Sequence, residues 1–289
     1  MDDAVALFPD DCLGSDYTVR TFRSLAALRN WSAANPWIHL PARARQIAGQ
    51  ALAQGITGAW VGRVAPSEVR CTDLNYRESL LADGLNPRQR AVLDLLTTLS
   101  AAADAGNATV YATEGITDFA SRLRKRFPRF VGSEYAPTEV ERKRIRPVEH
   151  QDLANLTYQD DAFDVVISNE VFEHLPDLPA ALRELARVTR PGGTLLATFP
   201  FLPFVETSMT KARMRPDGSI EYLMEKEFHG NPMDATGGSL VFQVPAWDIV
   251  DMARAAGFWQ AEIVLISSLR AGITAADGPA IFVFAARPR

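Results

Sequence analysis

The spacing of apolar residues changes character near residue 105. Before that point the pattern is helical and often interrupted. The stretch "TVRTFRSLAALRNWSAANPWIHLPARARQIAGQALAQG" (18–55) predicts two helices broken at Asn35-Pro36 and Pro41, because proline removes a backbone donor and clashes with the preceding turn. "GAWVGRVAPSEVRC" (58–71) predicts two short strands about a Pro-Ser turn. "NPRQRAVLDLLTTLSAAAD" (86–104) predicts a helix with Asn86 as N-cap and Pro87 at the first helical position. Apolar residues at 91, 92, 95, 96 and 99 give that helix one buried stripe.

From residue 109 onward, short apolar runs alternate with helical segments. The runs "TVYAT" (109–113), "RFVGSE" (129–134), "RPVEH" (146–150), "FDVVIS" (163–168) and "TLLATFPF" (194–201) predict strands. Segments such as "ITDFASRLRKRF" (116–127) and "LPAALRELARVT" (178–189) predict the intervening helices, and Pro191-Gly192-Gly193 predicts a turn. The end of the chain differs: "WQAEIVLISS" (259–268) and "AIFVFAARP" (280–288) have no helix between them and predict a hairpin at the sheet edge. The expected fold is α/β, a Rossmann-like, doubly wound sheet of seven strands, mostly parallel with one antiparallel edge strand. Residues 1–105 are expected to form a mainly helical N-terminal extension or lid with a small hairpin, and residues 106–289 the core, with an insertion at 202–244 over the site.

Composition narrows the function. A net charge of −5 over 289 residues argues against wrapping nucleic acid, whose phosphates call for a basic surface. The basic runs at 122–130 and 141–146 are expected to be solvated helix faces. Two cysteines, Cys12 and Cys71, cannot build a disulfide framework and suggest a reducing compartment. No apolar run approaches the ~20 residues that span a bilayer, and "MDDAVALFPDD" lacks a charged-then-apolar leader. A cytoplasmic protein is expected, with no membrane and no nucleic-acid partner.

In an open parallel sheet, ligands bind beyond the carboxyl ends of the strands. The residues there are Glu114, Gly115, Ile116 and Thr117 after the first strand, and Glu134 after the second. His150, Asp152 and Leu153 follow the third, and Asn169, Glu170, Glu173 and His174 the fourth. Read singly, Glu134 could also be a charge favourable to a helix N-terminus and Asp152 a turn cap. Read together, an acid after the second strand suits a ribose diol, and an acid after the third suits the exocyclic amine of an adenine.

The segment "HQDLANLTYQDDAFDVVISNEVFEHLPDLPAALRELARVTRPGGTLLATFPF" (150–201) resembles the core of class I S-adenosylmethionine-dependent methyltransferases, of the methyltransferase type 11-like kind. "FVGSEYAP" (130–137) resembles that family's second-strand segment. The resemblance implies S-adenosylmethionine as cofactor, with S-adenosylhomocysteine as product. It implies that Glu134 binds the ribose hydroxyls, that Tyr135 flanks the adenine, that Asp152 and Leu153 contact the adenine edge, and that Asn169 lines the methionine side. The first loop, "ATEGITDF" (112–119), departs from the family's glycine-rich pattern. Gly115 is kept, Thr117 stands where a glycine is usual, and Ala112 lies near the usual acid. Glu114 is expected to supply that acid two residues later, and the Thr117 hydroxyl to reach the methionine carboxylate.

For the methyl acceptor, His229 is the first candidate general base, because an unperturbed imidazole titrates near neutrality. It sits in "EYLMEKEFHGNPMDATGGSLVF" (221–242) beside Glu225 and Glu227, with Tyr222 and Phe228 expected as an apolar wall. His174 is the second catalytic candidate, with loop ordering as its alternative role. A metal held by Glu170, Glu173 and His174 is set aside, since no Cys/His spacing supports zinc. His39 and His150 are read as structural. Arg77, Arg88 and Arg90 form either ion-paired packing or a lid that binds an anionic substrate. The expected activity is bacterial and biosynthetic O-methylation of a small molecule or a saccharide or secondary-metabolite acceptor, with a homodimer left open. Two other readings remain: a catalytically silent binding subunit, and an enzyme that uses the scaffold for another reaction.

Overall fold

The computed structural model describes residues 7–8, 11–12, 16–102, 106–231 and 234–289. The strands are β1 (Asp11–Cys12), β2 (Tyr17–Phe22), β3 (Thr109–Ala112), β4 (Arg129–Glu134), β5 (Glu149–His150), β6 (Phe163–Asn169), β7 (Thr189–Thr198), β8 (Phe258–Ser268) and β9 (Ile281–Pro288). The strands β7, β6, β3, β4 and β5 form a parallel, Rossmann-like sheet in that order, and β1, β2, β8 and β9 lie side by side, with β2 antiparallel to both its neighbours. Among the described residues nine strands stand where seven are expected. The two added are β1, which pairs antiparallel with β2, and β2, which pairs antiparallel with β8 from Ile263↔Phe22 to Ser268↔Tyr17. An eleven-residue strand left at an edge would expose a row of unpaired N–H and C=O groups, and β2 covers it. The chain divides into two compact units, residues 1–108 with 262–285, and 109–261 with 286–289.

The first unit carries α1 (Leu25–Ala34), α2 (Pro41–Gln54) and α3 (Pro87–Ala102). A short 3₁₀ turn, Pro36–His39, separates the first two helices where the prolines require it. Asn86 caps α3 as expected: its Oδ1 accepts from Gln89 N at 3.0 Å, and Gln89 Oε1 accepts from Asn86 N at 3.1 Å. The expected end of this helix at 103–104 lies outside the described residues. The two strands expected at 58–71 both form, but not as one hairpin. Gly62–Val64 pairs with Ile56–Gly58, and Val69–Cys71 pairs with Leu80–Ala82. The 3₁₀ turn Pro66–Glu68 between them turns the chain away, so each strand takes a different partner. Cys71 is a free thiol, and the Cys12 side chain lies outside what is described.

Arg90 is corrected from a candidate substrate ligand to a packing residue. It is 4% exposed, and its guanidinium donates to the carbonyls of Leu80, Leu85, Ala271 and Gly272. Burial pushes its pKa down to about 9. Arg77 and Arg88 both pair with Glu78, so the ion-paired reading of this segment describes what is seen.

In the second unit, β3 to β7 pair in parallel in the order β7-β6-β3-β4-β5. Four α-helices belong to it among the described residues: α4 (Asp118–Arg126), α5 (Glu139–Ile145), α6 (Leu178–Val188) and α7 (Asp248–Ala255). The helix α6 forms because Asp177 caps it through Ala180 N and because Leu178, Ala181, Leu182 and Leu185 share one buried face. The α4 sequence starts with Asp118 and ends with Arg124-Lys125-Arg126, which suits the helix dipole, and those three cations are exposed as expected. Pro191-Gly192-Gly193 does not end a helix–strand turn but lies inside β7. There the register with β6 jumps from Phe163↔Thr189 to Val165↔Thr194, and the extra residues bulge out.

No helix among the described residues is long and apolar enough to cross a membrane. Replacing Arg90 by Met removes the guanidinium donor from the carbonyls of Leu80, Leu85, Ala271 and Gly272. Chemical denaturation is expected to show a loss of about 3 kcal/mol at unchanged m-value.

Candidate functional site

The strand ends of the second unit bring together the acids expected there. Beyond β3, the loop 113–117 leads into α4, with Thr117 as its N-cap accepting from Ala120 N at 3.1 Å. The Glu134 carboxylate, at the end of β4, reaches across to this loop. Its Oε1 accepts from Gly115 N at 2.8 Å and from Ile116 N at 3.2 Å. Burial pushes the Glu134 carboxyl up, and the two backbone donors oppose that shift.

Gly115 is required for packing. A Cβ there would lie 2.5 Å from Val148 Cγ1 and 3.2 Å from the Gly132 carbonyl carbon. A Cβ on Gly132 would in turn lie 2.9 Å from the Gly115 Cα. The lone glycine of the loop therefore lets it close onto β4. Arg124 fastens the loop from α4 by donating to the Gly115 carbonyl at 2.9 Å.

Glu114 and Thr117 are spent partly on each other. The Thr117 hydroxyl donates to Glu114 Oε2, while Glu114 Oε1 accepts from Asn169 Nδ2 at 2.7 Å. Asn169 Oδ1 accepts from the Thr198 hydroxyl at 3.1 Å. These bonds tie the ends of β3, β6 and β7 into one polar chain. Beyond β4 and β5, Tyr135 is 61% exposed and its ring lies 5.6 Å from that of His150. His150 Nδ1 accepts from Ala136 N at 2.9 Å, an ordering role that matches its structural reading. Asp152 Oδ1 accepts from Ala154 N at 2.9 Å, capping its own turn. Leu153 is 6% exposed and belongs to the core.

The insertion carries the second group of candidate residues. It consists of short antiparallel pairs, including Phe228–Asn231 with Asp234–Leu240. Gly238, at φ +68°, sits where a Cβ would meet the His229 carbonyl oxygen at 2.5 Å, so glycine is needed to bring these strands together. The insertion docks on the 3₁₀ turn Phe172–His174 that follows β6. Phe242 N donates to the Glu173 carbonyl at 2.8 Å, and Gln243 Nε2 donates to the Leu175 carbonyl at 3.1 Å.

This docking brings together both catalytic candidates, 55 positions apart in sequence. The rings of His174 and His229 meet edge-on at 5.3 Å. The Glu173 side chain, fully buried, lies between them, with Oε1 3.7 Å from His174 Nε2 and 3.6 Å from His229 Nδ1. His229 Nε2 bonds Glu227 Oε1 at 3.0 Å, and Glu227 also pairs with Lys211. The imidazole is not the unperturbed one assumed from sequence. The facing Glu173 carboxylate, helped by Glu227 and opposed by burial, holds its pKa up to about 9. His229 thus carries its proton at neutral pH in the free chain. Lys211 and then His229 hold the Glu227 carboxyl below its usual range, and burial pushes the Glu173 carboxyl up.

Glu225, Tyr222 and Phe228 are exposed, and Lys226 lies over the Tyr222 ring at 4.3 Å. Sequence reasoning did not assign roles to Lys211, Gly132 or Val148. Their partners are remote in sequence, and no spacing announces them.

Parallel strands flanked by helices, with acids at successive carboxyl ends, form the kind of edge at which open α/β sheets bind ligands. Residues 101–197 match the methyltransferase-domain family. Among curated relatives, the malonyl-[acyl-carrier protein] O-methyltransferase of Halorhodospira halophila is 40% identical over 104 residues, covering 33% of this chain and 34% of that protein. A probable S-adenosylmethionine-dependent methyltransferase of Mycolicibacterium smegmatis is 30% identical over 143 residues, covering 47% and 53%. The chain thus spans between a third and about half the length of these relatives. A solved methyltransferase structure from Mesorhizobium loti aligns with TM-score 0.42 and 16% identity over 66% of this chain and 96% of that one. The cofactor of this family is S-adenosylmethionine.

Replacing Gly115 by Ala is expected to cost about 1–3 kcal/mol in denaturation experiments, because the loop overpacks against Val148. Adding Val148→Ala should restore part of that loss. A double-mutant cycle showing no coupling would reject the packing role of the glycine.

Proposed function

We propose that this protein transfers the methyl group of S-adenosylmethionine to an oxygen of a small-molecule acceptor, a saccharide or a secondary metabolite. The observation that carries the reading is the series of carboxylates at the ends of three adjacent strands, Glu114, Glu134 and Asp152, with Asn169 beside them. Glu134 Oε2 would accept from the ribose hydroxyls while Oε1 holds the loop. Asp152 would accept from the adenine amine through the oxygen not used by Ala154. The exposed Tyr135 ring would cover the adenine, with Leu153 as the apolar floor. Glu114 and Asn169, already bonded to each other, would line the methionine end. Gly115 and Thr117 would shape the loop rather than bond the cofactor through a side chain.

Transfer from a sulfonium is an in-line displacement, so positioning of the acceptor supplies much of the rate. His174 and His229 follow the β6 end directly and through the docked insertion, which makes them the groups proposed to meet the acceptor. O-methylation is supported by the relatives named as malonyl-[acyl-carrier protein] O-methyltransferases, and a bacterial, cytoplasmic, biosynthetic setting belongs to the same proposal.

A second reading, a cofactor-binding subunit without turnover, is favoured by one feature. The Thr117 hydroxyl and both Glu114 oxygens are already occupied within the protein.

Calorimetric titration with S-adenosylmethionine and S-adenosylhomocysteine tests the proposal. Asp152→Ala and Glu134→Ala are each expected to weaken binding by about 1–3 kcal/mol, since each removes a charged acceptor. The Glu134 variant should lose more, because the Gly115 and Ile116 N–H groups lose their acceptor as well. No binding by the unaltered chain would overturn the cofactor reading, and unchanged affinity in both variants would overturn the residue assignment.

A further inference from the structure

Glu173 poses a problem that methyl transfer does not explain. Its side chain is fully buried, and neither carboxylate oxygen has a hydrogen-bond partner. A buried carboxylate without hydrogen bonds is costly, so such groups are normally bonded, closely paired or bound to a metal, and what faces this one is two imidazoles. The two imidazole nitrogens nearest to it, at 3.7 and 3.6 Å, are too far for hydrogen bonds. They are near the separation of neighbouring ligands around one ion: bonds of ~2.0–2.1 Å in a tetrahedral site place donor atoms about 3.3–3.4 Å apart. The three donor atoms all lie within 4.8 Å of one another.

The outer nitrogens of both rings are also committed. His174 Nδ1 bonds the Leu240 carbonyl at 2.8 Å. A carbonyl can only accept, so Nδ1 is a donor and Nε2 is the nitrogen turned toward Glu173. His229 Nε2 bonds the Glu227 carboxylate at 3.0 Å, which turns Nδ1 toward Glu173, and Lys211 holds Glu227 in place. A carbonyl behind one histidine and a carboxylate behind the other is the arrangement that orients imidazoles toward metal ions.

We propose that Glu173, His174 and His229 form a binding site for one divalent transition-metal ion of the zinc class. Two imidazoles with one carboxylate suit zinc, cobalt or iron(II) better than magnesium or calcium, which prefer all-oxygen shells. Three protein ligands leave at least one position open, as in catalytic rather than structural sites. Glu227 is a positioning residue that acts through His229. The set differs from the Glu170, Glu173 and His174 trio considered from sequence, because the ligand that completes it arrives on the insertion. The inference rests on side-chain geometry alone and is independent of whether the chain binds S-adenosylmethionine.

The test uses the full chain without an affinity tag, stripped with chelator and titrated with Zn²⁺ and with Co²⁺ in the absence of cofactor. One equivalent is expected to bind, with Co²⁺ giving the visible absorption of a four- or five-coordinate ion. His174→Gln and His229→Gln should abolish binding, with far-UV circular dichroism reporting that each variant folds. Glu227→Gln, which keeps all three ligands, should weaken affinity about 10–100-fold. His39→Gln serves as the control and should leave binding unchanged. If Zn²⁺ and Co²⁺ fail to bind, or if binding survives in both histidine variants, the proposal is overturned and the cluster is an ion pair of His229 with Glu173. Binding with Glu227→Gln at full affinity would remove the positioning role.

Discussion

The second unit depends on the closure of the loop beyond β3 onto the end of β4. One carboxylate oxygen of Glu134 takes two successive backbone N–H groups, and Gly115 lies against Gly132 with no Cβ on either. These conditions are linked. A side chain at 115 would hold the loop off the sheet, and Glu134 would then be a partly buried acid without its donors. Once the loop closes, α4 starts at Thr117 and Glu114 points to Asn169, so the polar chain through Thr198 follows from the same contact.

This closure gives a physical account of a loop with a single glycine. Glycine-rich cofactor loops use the absent Cβ for close approach of backbone to ligand. Here the one retained glycine is used for approach of loop to sheet. The position where a second glycine is usual holds a threonine that caps a helix and bonds Glu114. The loop is therefore held by hydrogen bonds within the protein.

The insertion plays the corresponding part on the other side. Its backbone is stitched to the turn after β6 through the carbonyls of Glu173 and Leu175, and this places a charged strand against a buried carboxylate. Burial and the facing acid act together: Glu173 is costly where it sits, and His229 keeps its proton because of it. The basis on which His229 is attractive from sequence, an imidazole titrating near pH 7, does not survive that environment.

Much was legible in the sequence. The strand β4 at 129–134 and the helix α6 at 178–188 follow from apolar periodicity and capping residues, both local properties. The order of strand-end acids, and so the class of site, follows from where each strand stops. What could not be read was which surfaces meet. The pairing of β2 with β8 raised the strand number because an exposed edge accepts any compatible strand, wherever in the chain it lies. Arg90 and Arg88 look alike in sequence, yet one is sealed under four carbonyls and the other pairs with Glu78 near the surface. The sequence alone determined the elements, their succession and the acids at their ends. Only the tertiary structure decided that Gly115 packs on Gly132 and Val148, and that His229 meets Glu173 and His174, because contacts between distant residues depend on chain path and not on local spacing.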